Sequence, residues 1–192
     1  MRKLILLLIL IVPFKSRPQS ILSFIEEYID FTLDPTWFSI NGVYTFVNHS
    51  GKTLDAPISF PFAASIDSIS DIRVFDLKHS MPLRIQKGLK EIAFQMQVGA
   101  FDTISINIAY KQKTCKRNVY ILSSTAAWRE PLRKANYTLT IKKGIHISCF
   151  SFKPDSEKNQ NWYWKKERFM PNHEFVIKLG KGQKQPGLCN DE

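Results

Sequence analysis

The sequence predicts an all-β protein, an antiparallel β-sandwich of about ten strands, and three observations lead to that prediction. Most segments after residue 20 alternate apolar and polar residues with period two, as half-buried strands do. Turn residues separate these segments at intervals of about eight to fifteen residues. No segment shows the periodicity of an amphipathic helix. Since period two does not decide whether a sheet closes on itself, a partly closed β-barrel is the alternative.

The first 20 residues predict an export signal that precedes a domain spanning residues 21–179. Arg2 and Lys3 precede an apolar run from Leu4 to Phe14, and the chain then turns polar. As a helix this run rises only about 16 Å, too little to cross a bilayer core of about 30 Å. We therefore expect a cleaved signal peptide and a mature chain that begins near Ile21 without a membrane span. The protein would be periplasmic, at the cell surface or secreted. An uncleaved anchor is the alternative.

The charge balance is moderately basic. The whole chain carries a net charge of +10, and setting aside the four basic residues of the leader leaves 23 basic against 17 acidic residues, or +6. A charge of this size is typical of soluble proteins and does not favour nucleic acid as a partner.

Two alternating runs, residues 23–33 and 37–47, predict an opening hairpin around the turn signal Asp34-Pro35-Thr36. Glu27 interrupts the apolar face of the first run. The other members of that face are Ile25, Ile29, Phe31 and Leu33.

Later segments extend the same pattern. Residues 91–98 and 103–110 alternate cleanly across a short loop, which predicts that they are antiparallel neighbours in one sheet. Pro57 and Pro61 cannot donate to a strand ladder, so their segment is predicted to lie at a sheet edge or at a bend. Residues 180–192 predict a flexible C-terminal tail. Further strands are predicted at 72–77, 119–122, 137–141, 145–152 and 175–179.

Three segments carry a resemblance to a known kind of domain. They are Asn41–Asn48, Phe60–Phe62 and Tyr120–Tyr137, the last of which contains Trp128 and the following Pro131-Leu132. A strand ending in Phe-x-Asn, then a Phe-Pro segment and later a Trp-x-x-Pro-Leu stretch is similar to exported bacterial β-sandwich domains of unknown function. The resemblance covers roughly 100 residues and implies fold and compartment, but it supplies no activity and no catalytic residue.

Three cysteines in an exported chain predict one disulfide and one free thiol. Cys149 continues the alternation of Ile145 and Ile147, so it is predicted to be a buried apolar residue. Cys115 and Cys189 lie in polar stretches, and we predict that these two form the disulfide.

The sequence contains no motif for a nucleotide, a cofactor or a metal, and no catalytic residue is predicted. The four histidines are isolated from one another. Glu26, Glu27, Asp30 and Asp34 cluster near the start of the domain, where paired acids could serve glycoside hydrolysis. Charges that protect an edge strand from aggregation are the preferred explanation.

Two aromatic segments are candidates for ligand binding. Trp128 lies between two predicted strands, where it could line a pocket or plug one end of the sandwich. Residues 162–168 interleave aromatic and cationic side chains, and Trp162, Trp164, Lys166 and Arg168 would share one face of a strand. If that face is exposed, we expect it to bind a glycan or a polyanion. If it is buried, its two indoles belong to the core.

These features favour a non-catalytic extracytoplasmic module that binds a protein or a cell-surface glycan, with no cofactor. The alternative is a secreted hydrolase of glycan or peptide whose site is assembled from residues distant in sequence. The sequence leaves the oligomeric state open.

Overall fold

The computed structural model describes residues 20–181 and 186–189, so residues 1–19, which hold most of the predicted signal segment, lie outside the described part. The described residues form fifteen strands and two short 3-10 helices, Ile66–Ser68 and Ser123–Trp128. Neither helix is long and apolar enough to cross a membrane. The strands are β1 (Leu22–Leu33), β2 (Trp37–Asn48), β3 (Leu54–Pro61), β4 (Ile69–Asp76), β5 (Met81–Pro82), β6 (Ile85–Lys87), β7 (Glu91–Val98), β8 (Thr103–Lys113), β9 (Arg117–Tyr120), β10 (Leu132–Ile141), β11 (Ile147–Phe150), β12 (Ser156–Lys158), β13 (Asn161–Phe169), β14 (Phe175–Leu179) and β15 (Gly187–Leu188).

These strands form three open sheets, which confirms the predicted all-β sandwich. The large sheet has the order β12-β13-β10-β1-β2-β8-β4-β5. The β7 sheet has the order β3-β7-β6, and the β14 sheet has the order β15-β11-β14-β9. The strand count exceeds the predicted ten because β5, β6, β12 and β15 contain only two or three residues, too few to leave an alternating pattern.

The core lies between one face of the large sheet and the two smaller sheets. In β2 every second residue from Phe38 to Asn48 is buried, as the period of a strand requires. The β7 sheet covers the part of the large sheet around β2, where the rings of Tyr44 and Phe60 lie 5.4 Å apart. The β14 sheet covers the part around β1, where the rings of Phe31 and Phe175 lie 4.9 Å apart.

Two expectations for the first strands are confirmed. β1 and β2 pair as an antiparallel hairpin, and Asp34 organises its turn by accepting hydrogen bonds from the amides of Thr36 and Trp37, each 2.7 Å long. β3, which contains Pro57 and Pro61, is an edge strand of the β7 sheet.

The position of β1 differs from the expectation. β1 lies in the middle of the large sheet, between β2 and β10, and pairs with β10 in parallel. The acids of β1 therefore do not protect a sheet edge, and that explanation of Glu26, Glu27 and Asp30 is wrong. Strand order depends on a partner about 110 residues away, which periodicity cannot identify.

The predicted hairpin of residues 91–98 and 103–110 is also wrong. β7 pairs with β3 and β6, whereas β8 pairs with β2 and β4, so the short loop between them crosses from one sheet to another. The buried amide of Asn48 fixes this crossing by donating hydrogen bonds to the carbonyls of Lys52 (2.7 Å), Val98 (3.2 Å) and Gly99 (2.8 Å).

The disulfide differs from the predicted Cys115–Cys189 pair. Cys149 bonds to Cys189, and Cys115 is an exposed free thiol. Cys149 is only half-buried, because the register of β11 against β14 shifts between Ile147 and Cys149 and breaks the apolar alternation. Within the predicted tail, β15 pairs with β11 and brings Cys189 beside Cys149, so this part of the tail is attached to the domain.

Candidate functional site

A cavity of about 450 Å³ opens where the β7 sheet and the β14 sheet leave the face of the large sheet uncovered. Its floor belongs to β1, β2 and β8, one wall belongs to β3, and the opposite wall is the segment from the end of β9 through the 3-10 helix. The residues that line it are Phe24, Glu27, Tyr44, Phe46, Ile58, Ser59, Phe60, Pro61, Ile108, Tyr120, Ile121, Ser124, Thr125, Ala127 and Trp128.

Glu27 is the only carboxylate among these residues of the described chain, and it is 2% exposed. The alternation of β1 directs it to the same side as Ile29 and Phe31, whereas Glu26 accepts a hydrogen bond from Tyr28 at the surface. The two neighbouring acids therefore lie on opposite faces of β1. They cannot act as the pair that glycoside hydrolysis requires.

Three tyrosines surround the carboxyl group of Glu27. Tyr137 of β10 donates a hydrogen bond to Oε1, and Tyr120 of β9 donates to Oε2 across 3.3 Å. The hydroxyl of Tyr44 lies 3.0 Å from that of Tyr120. When Glu27 is ionised, Tyr120 donates its one proton to the carboxylate, so Tyr44 is the donor to Tyr120 and the three phenols form a chain of donors that ends on one carboxylate.

Burial decides how these groups titrate. Loss of hydration raises the pKa of Glu27 from 4.5 to about 7, against the opposing effect of the hydrogen bonds from Tyr137 and Tyr120. Burial also raises the pKa of each of the three tyrosines above its usual value. The phenols therefore stay neutral donors near neutral pH, while the carboxyl group changes its charge there.

Gly42 makes room for one member of this chain. A Cβ atom at Gly42 would lie 2.5 Å from the hydroxyl oxygen of Tyr44 and 2.7 Å from Cδ1 of Ile29. Such distances are closer than van der Waals contact permits, so only glycine lets the phenol of Tyr44 lie back over its own strand toward Tyr120.

Aromatic rings form the apolar part of the cavity. The rings of Phe24 and Phe46 lie 5.2 Å apart, and Trp128 packs on both, at 6.0 Å and 5.4 Å between ring centroids. Phe60 reaches Tyr44 from the β3 wall. The rings thus cover the floor and both walls.

The wall that carries Trp128 is held by an acid from the β14 sheet. Glu174, next to the first residue of β14, accepts hydrogen bonds from the amides of Leu122 (2.5 Å) and Ser123 (3.1 Å) and from the hydroxyl of Ser123. The 3-10 helix ends at Trp128, and the next residue, Arg129, has a φ of 60° that turns the chain toward β10. Glu174 therefore anchors the start of the segment that carries Trp128.

The structure separates the predicted binding residues. Trp128 lines the cavity and is half-buried. Trp162 and Trp164 face the core at 6% and 0% exposure, so the exposed aromatic and cationic strip does not form and the core alternative holds. Lys166 leaves the core to pair with Asp155 at 3.2 Å, and Arg168 lies exposed near the end of β13.

Glu27, Tyr44, Tyr120 and Tyr137 were not among the predicted site residues. The sequence feature that points to Glu27 as a site residue is an acid at a position of β1 where the alternation requires an apolar residue. A buried charge without an obvious partner is costly, and such positions occur preferentially at functional sites.

A larger and more open groove of about 670 Å³ lies over the β4–β8 pair. Four of its polar side chains form two pairs. Asp71 bonds to Lys111 at 2.7 Å, and Asn107 donates to Asn41 at 2.8 Å.

No protein-family model matches the chain, and no curated protein matches it. Solved structures share its fold. A Legionella pneumophila protein designated "putative nutrient binding protein" superposes with a TM-score of 0.62 at 13% identity, covering 84% of this chain and 67% of that one. Native yeast LTA4 hydrolase superposes with a TM-score of 0.51 at 10% identity, covering 86% of this chain and 30% of that one. At these identities the chain shares a fold with part of each protein.

Proposed function

We propose that this domain is a non-catalytic binding module that holds a small amphipathic molecule in the cavity around Glu27. The observation that carries the proposal is one buried carboxyl group at the floor of an open aromatic cavity. Small-molecule sites in proteins combine mostly apolar walls with a few fixed polar groups in this way.

The size and lining of the cavity favour a small molecule over the protein or glycan partner inferred from the sequence. About 450 Å³ lies within the usual range of such sites, roughly 300–1,000 Å³. The exposed residues at its mouth include Ser59 and Ser124, while the interior is aromatic and aliphatic. The designation of the Legionella fold neighbour, "putative nutrient binding protein", agrees with this proposal.

We also place the module outside the cytoplasm. The disulfide between Cys149 and Cys189 supports an oxidising compartment, because cytosolic thiols are kept reduced. The apolar run Leu4–Phe14 behind two basic residues supports an export signal.

The test compares two tryptophan substitutions in one helix. Ser124 is exposed and lines the cavity, whereas Ala126 is exposed two residues later and does not line it. Ser124→Trp should fill the mouth with an indole, and Ala126→Trp is the matched control. Saturation-transfer NMR would measure the binding of 2-phenylethylamine, 2-phenylethanol and indole to each variant.

We expect the wild type and Ala126→Trp to bind at least one of these probes and Ser124→Trp to lose that binding. If none of the probes binds the wild type, or if Ser124→Trp binds as well as Ala126→Trp, the cavity is not a site for such molecules.

A further inference from the structure

The charge of Glu27 has no counter-charge in the described part of the protein. None of the ion pairs found there includes Glu27, and all its hydrogen bonds come from neutral phenols. A buried carboxylate with neutral donors alone is poorly compensated. A positive charge supplied from outside would complete the site.

Within the described residues, Glu27 lines a cavity that opens to solvent among rings that attract cations. Phe24, Tyr44, Phe46, Phe60 and Trp128 form a contiguous set in which neighbouring centroids lie 5.2–6.1 Å apart. The face of an aromatic ring carries negative potential, so an organic cation is stabilised there while its apolar part is desolvated.

We propose that the ligand of this cavity is a small organic cation, an ammonium group on an apolar or aromatic body, whose charged nitrogen contacts Glu27. This inference rests on the proposed function, since it specifies the chemistry of the molecule that the cavity holds. An anion is repelled by Glu27, and a neutral molecule leaves the carboxylate uncompensated.

Binding of the cation is coupled to release of the proton of the Glu27 carboxyl group. The free protein holds Glu27 largely protonated below neutral pH, and an ammonium group favours the carboxylate, so the carboxyl proton passes to the buffer when the ligand binds. The other titratable groups around Glu27 in the described residues are Tyr44 of β2, Tyr120 of β9 and Tyr137 of β10, with Tyr110 of β8 next to Tyr44 and Tyr120. Burial raises the pKa of all four phenols, so they keep their protons. The β3 wall and the 3-10 helix contribute no titratable side chain to the cavity.

Calorimetric titration tests this with a matched pair of probes, 2-phenylethylamine and its neutral isostere 2-phenylethanol. At pH 6 in buffers of different ionisation enthalpy, binding of the amine should release about 0.9 proton, because a group with a pKa of about 7 is mostly protonated there. Its affinity should rise by about a hundredfold from pH 5 to pH 8. Glu27→Gln should abolish both effects, and Glu26→Gln, which changes the acid on the opposite face, should abolish neither.

Equal affinity for the amine and the alcohol, or no proton release from the wild type, would overturn the cationic ligand while the cavity remained a binding site. Failure of both probes to bind would remove the proposed function together with this inference. The measurement of proton release on the wild type keeps the test decisive if Glu27→Gln does not fold.

Discussion

Tyr137 donates a hydrogen bond to the buried carboxyl group of Glu27 from the neighbouring strand, across a separation of 110 residues in sequence. The parallel pairing of β1 with β10 creates this contact, since it sets Glu27 opposite Ala135 and Tyr137 two residues further along the same face. The chain returns to the middle of the large sheet at β10 and thereby supplies the donor that Glu27 needs.

The first prediction concerns stability against pH. The pKa of Glu27 is about 7 in the folded protein and near 4.5 when unfolded, so the folded state binds the proton more tightly. The contribution of Glu27 to the free energy of unfolding should therefore be largest below pH 4.5, fall by about 3 kcal/mol as the pH rises to 7, and then level off. Urea unfolding at pH 5 and pH 8 measures the fall.

Glu27→Gln should remove most of this fall, and Glu26→Gln should keep it. Other acids act outside this interval. The hydrogen bond from Lys111 lowers the pKa of Asp71, and that from Lys78 lowers the pKa of Asp102, so their contributions are lost only in more acidic solution. The same pH dependence in the wild type and in Glu27→Gln would show that Glu27 titrates normally.

Much of the fold could be predicted from the sequence because it depends on neighbours along the chain. Period two gives the inward residues of β2 and of β1 from Glu27 onward, but a register shift between Phe24 and Glu26 breaks the alternation at the start of β1. The turn signal at Asp34 locates their hairpin, and the prolines of β3 indicate an edge strand or a bend. Sheet membership could not be predicted. The loop after Val98 has the length of a hairpin, but it crosses between sheets and is bound by the buried Asn48 of β2, a contact that no local pattern contains.

The candidate site was predicted in part for the same reason. Trp128 was a candidate because an indole outside a strand is conspicuous, and it does line the cavity. Glu27 interrupts the apolar face of β1, but whether it is an edge charge or a buried site residue depends on whether β1 lies at the edge or in the middle of its sheet. That choice follows from the contact with β10, which no local pattern contains.

The second prediction compares the contributions of two residues of β13, Trp164 and Lys166, to the free energy of unfolding. Trp164 is fully buried and packs edge-to-face on Phe150 and Phe175 at 5.3 Å and 4.9 Å, so Trp164→Ala should cost about 3–5 kcal/mol. Lys166→Ala removes one partly exposed ion pair and should cost less than about 1 kcal/mol. Thermal and urea unfolding check both values. Similar losses for the two variants would contradict the placement of Trp164.

The third prediction concerns the disulfide. Peptide mapping without reduction should find Cys149 linked to Cys189 and Cys115 alkylated. The bond closes a loop of 40 residues, so Cys189→Ser should cost at most about 4 kcal/mol by the chain-entropy argument. Cys115→Ser is the matched control and should unfold like the wild type. A Cys115–Cys189 peptide would contradict the structure.

The fourth prediction concerns Gly42. A methyl group there collides with the phenol of Tyr44, so Gly42→Ala should cost about 1–3 kcal/mol and move Tyr44 away from Tyr120. Gly187→Ala is the control, because a Cβ atom at Gly187 meets nothing within 4 Å. Urea unfolding compares the two. Equal stability of the two variants would show that Tyr44 does not depend on Gly42.

The position of a bound probe tests the central claim, that the cavity around Glu27 is the ligand site. Three isoleucines line this cavity, Ile58, Ile108 and Ile121, whereas Ile72 and Ile85 line the larger groove over β4 and β8. The measurement is a methyl NMR titration of isoleucine-labelled protein with 2-phenylethylamine at pH 8. We predict shifts at Ile58, Ile108 and Ile121 that saturate together, with Ile72 and Ile85 unchanged. Shifts confined to Ile72 and Ile85, or no shift at any of the five methyl groups, would contradict the claim.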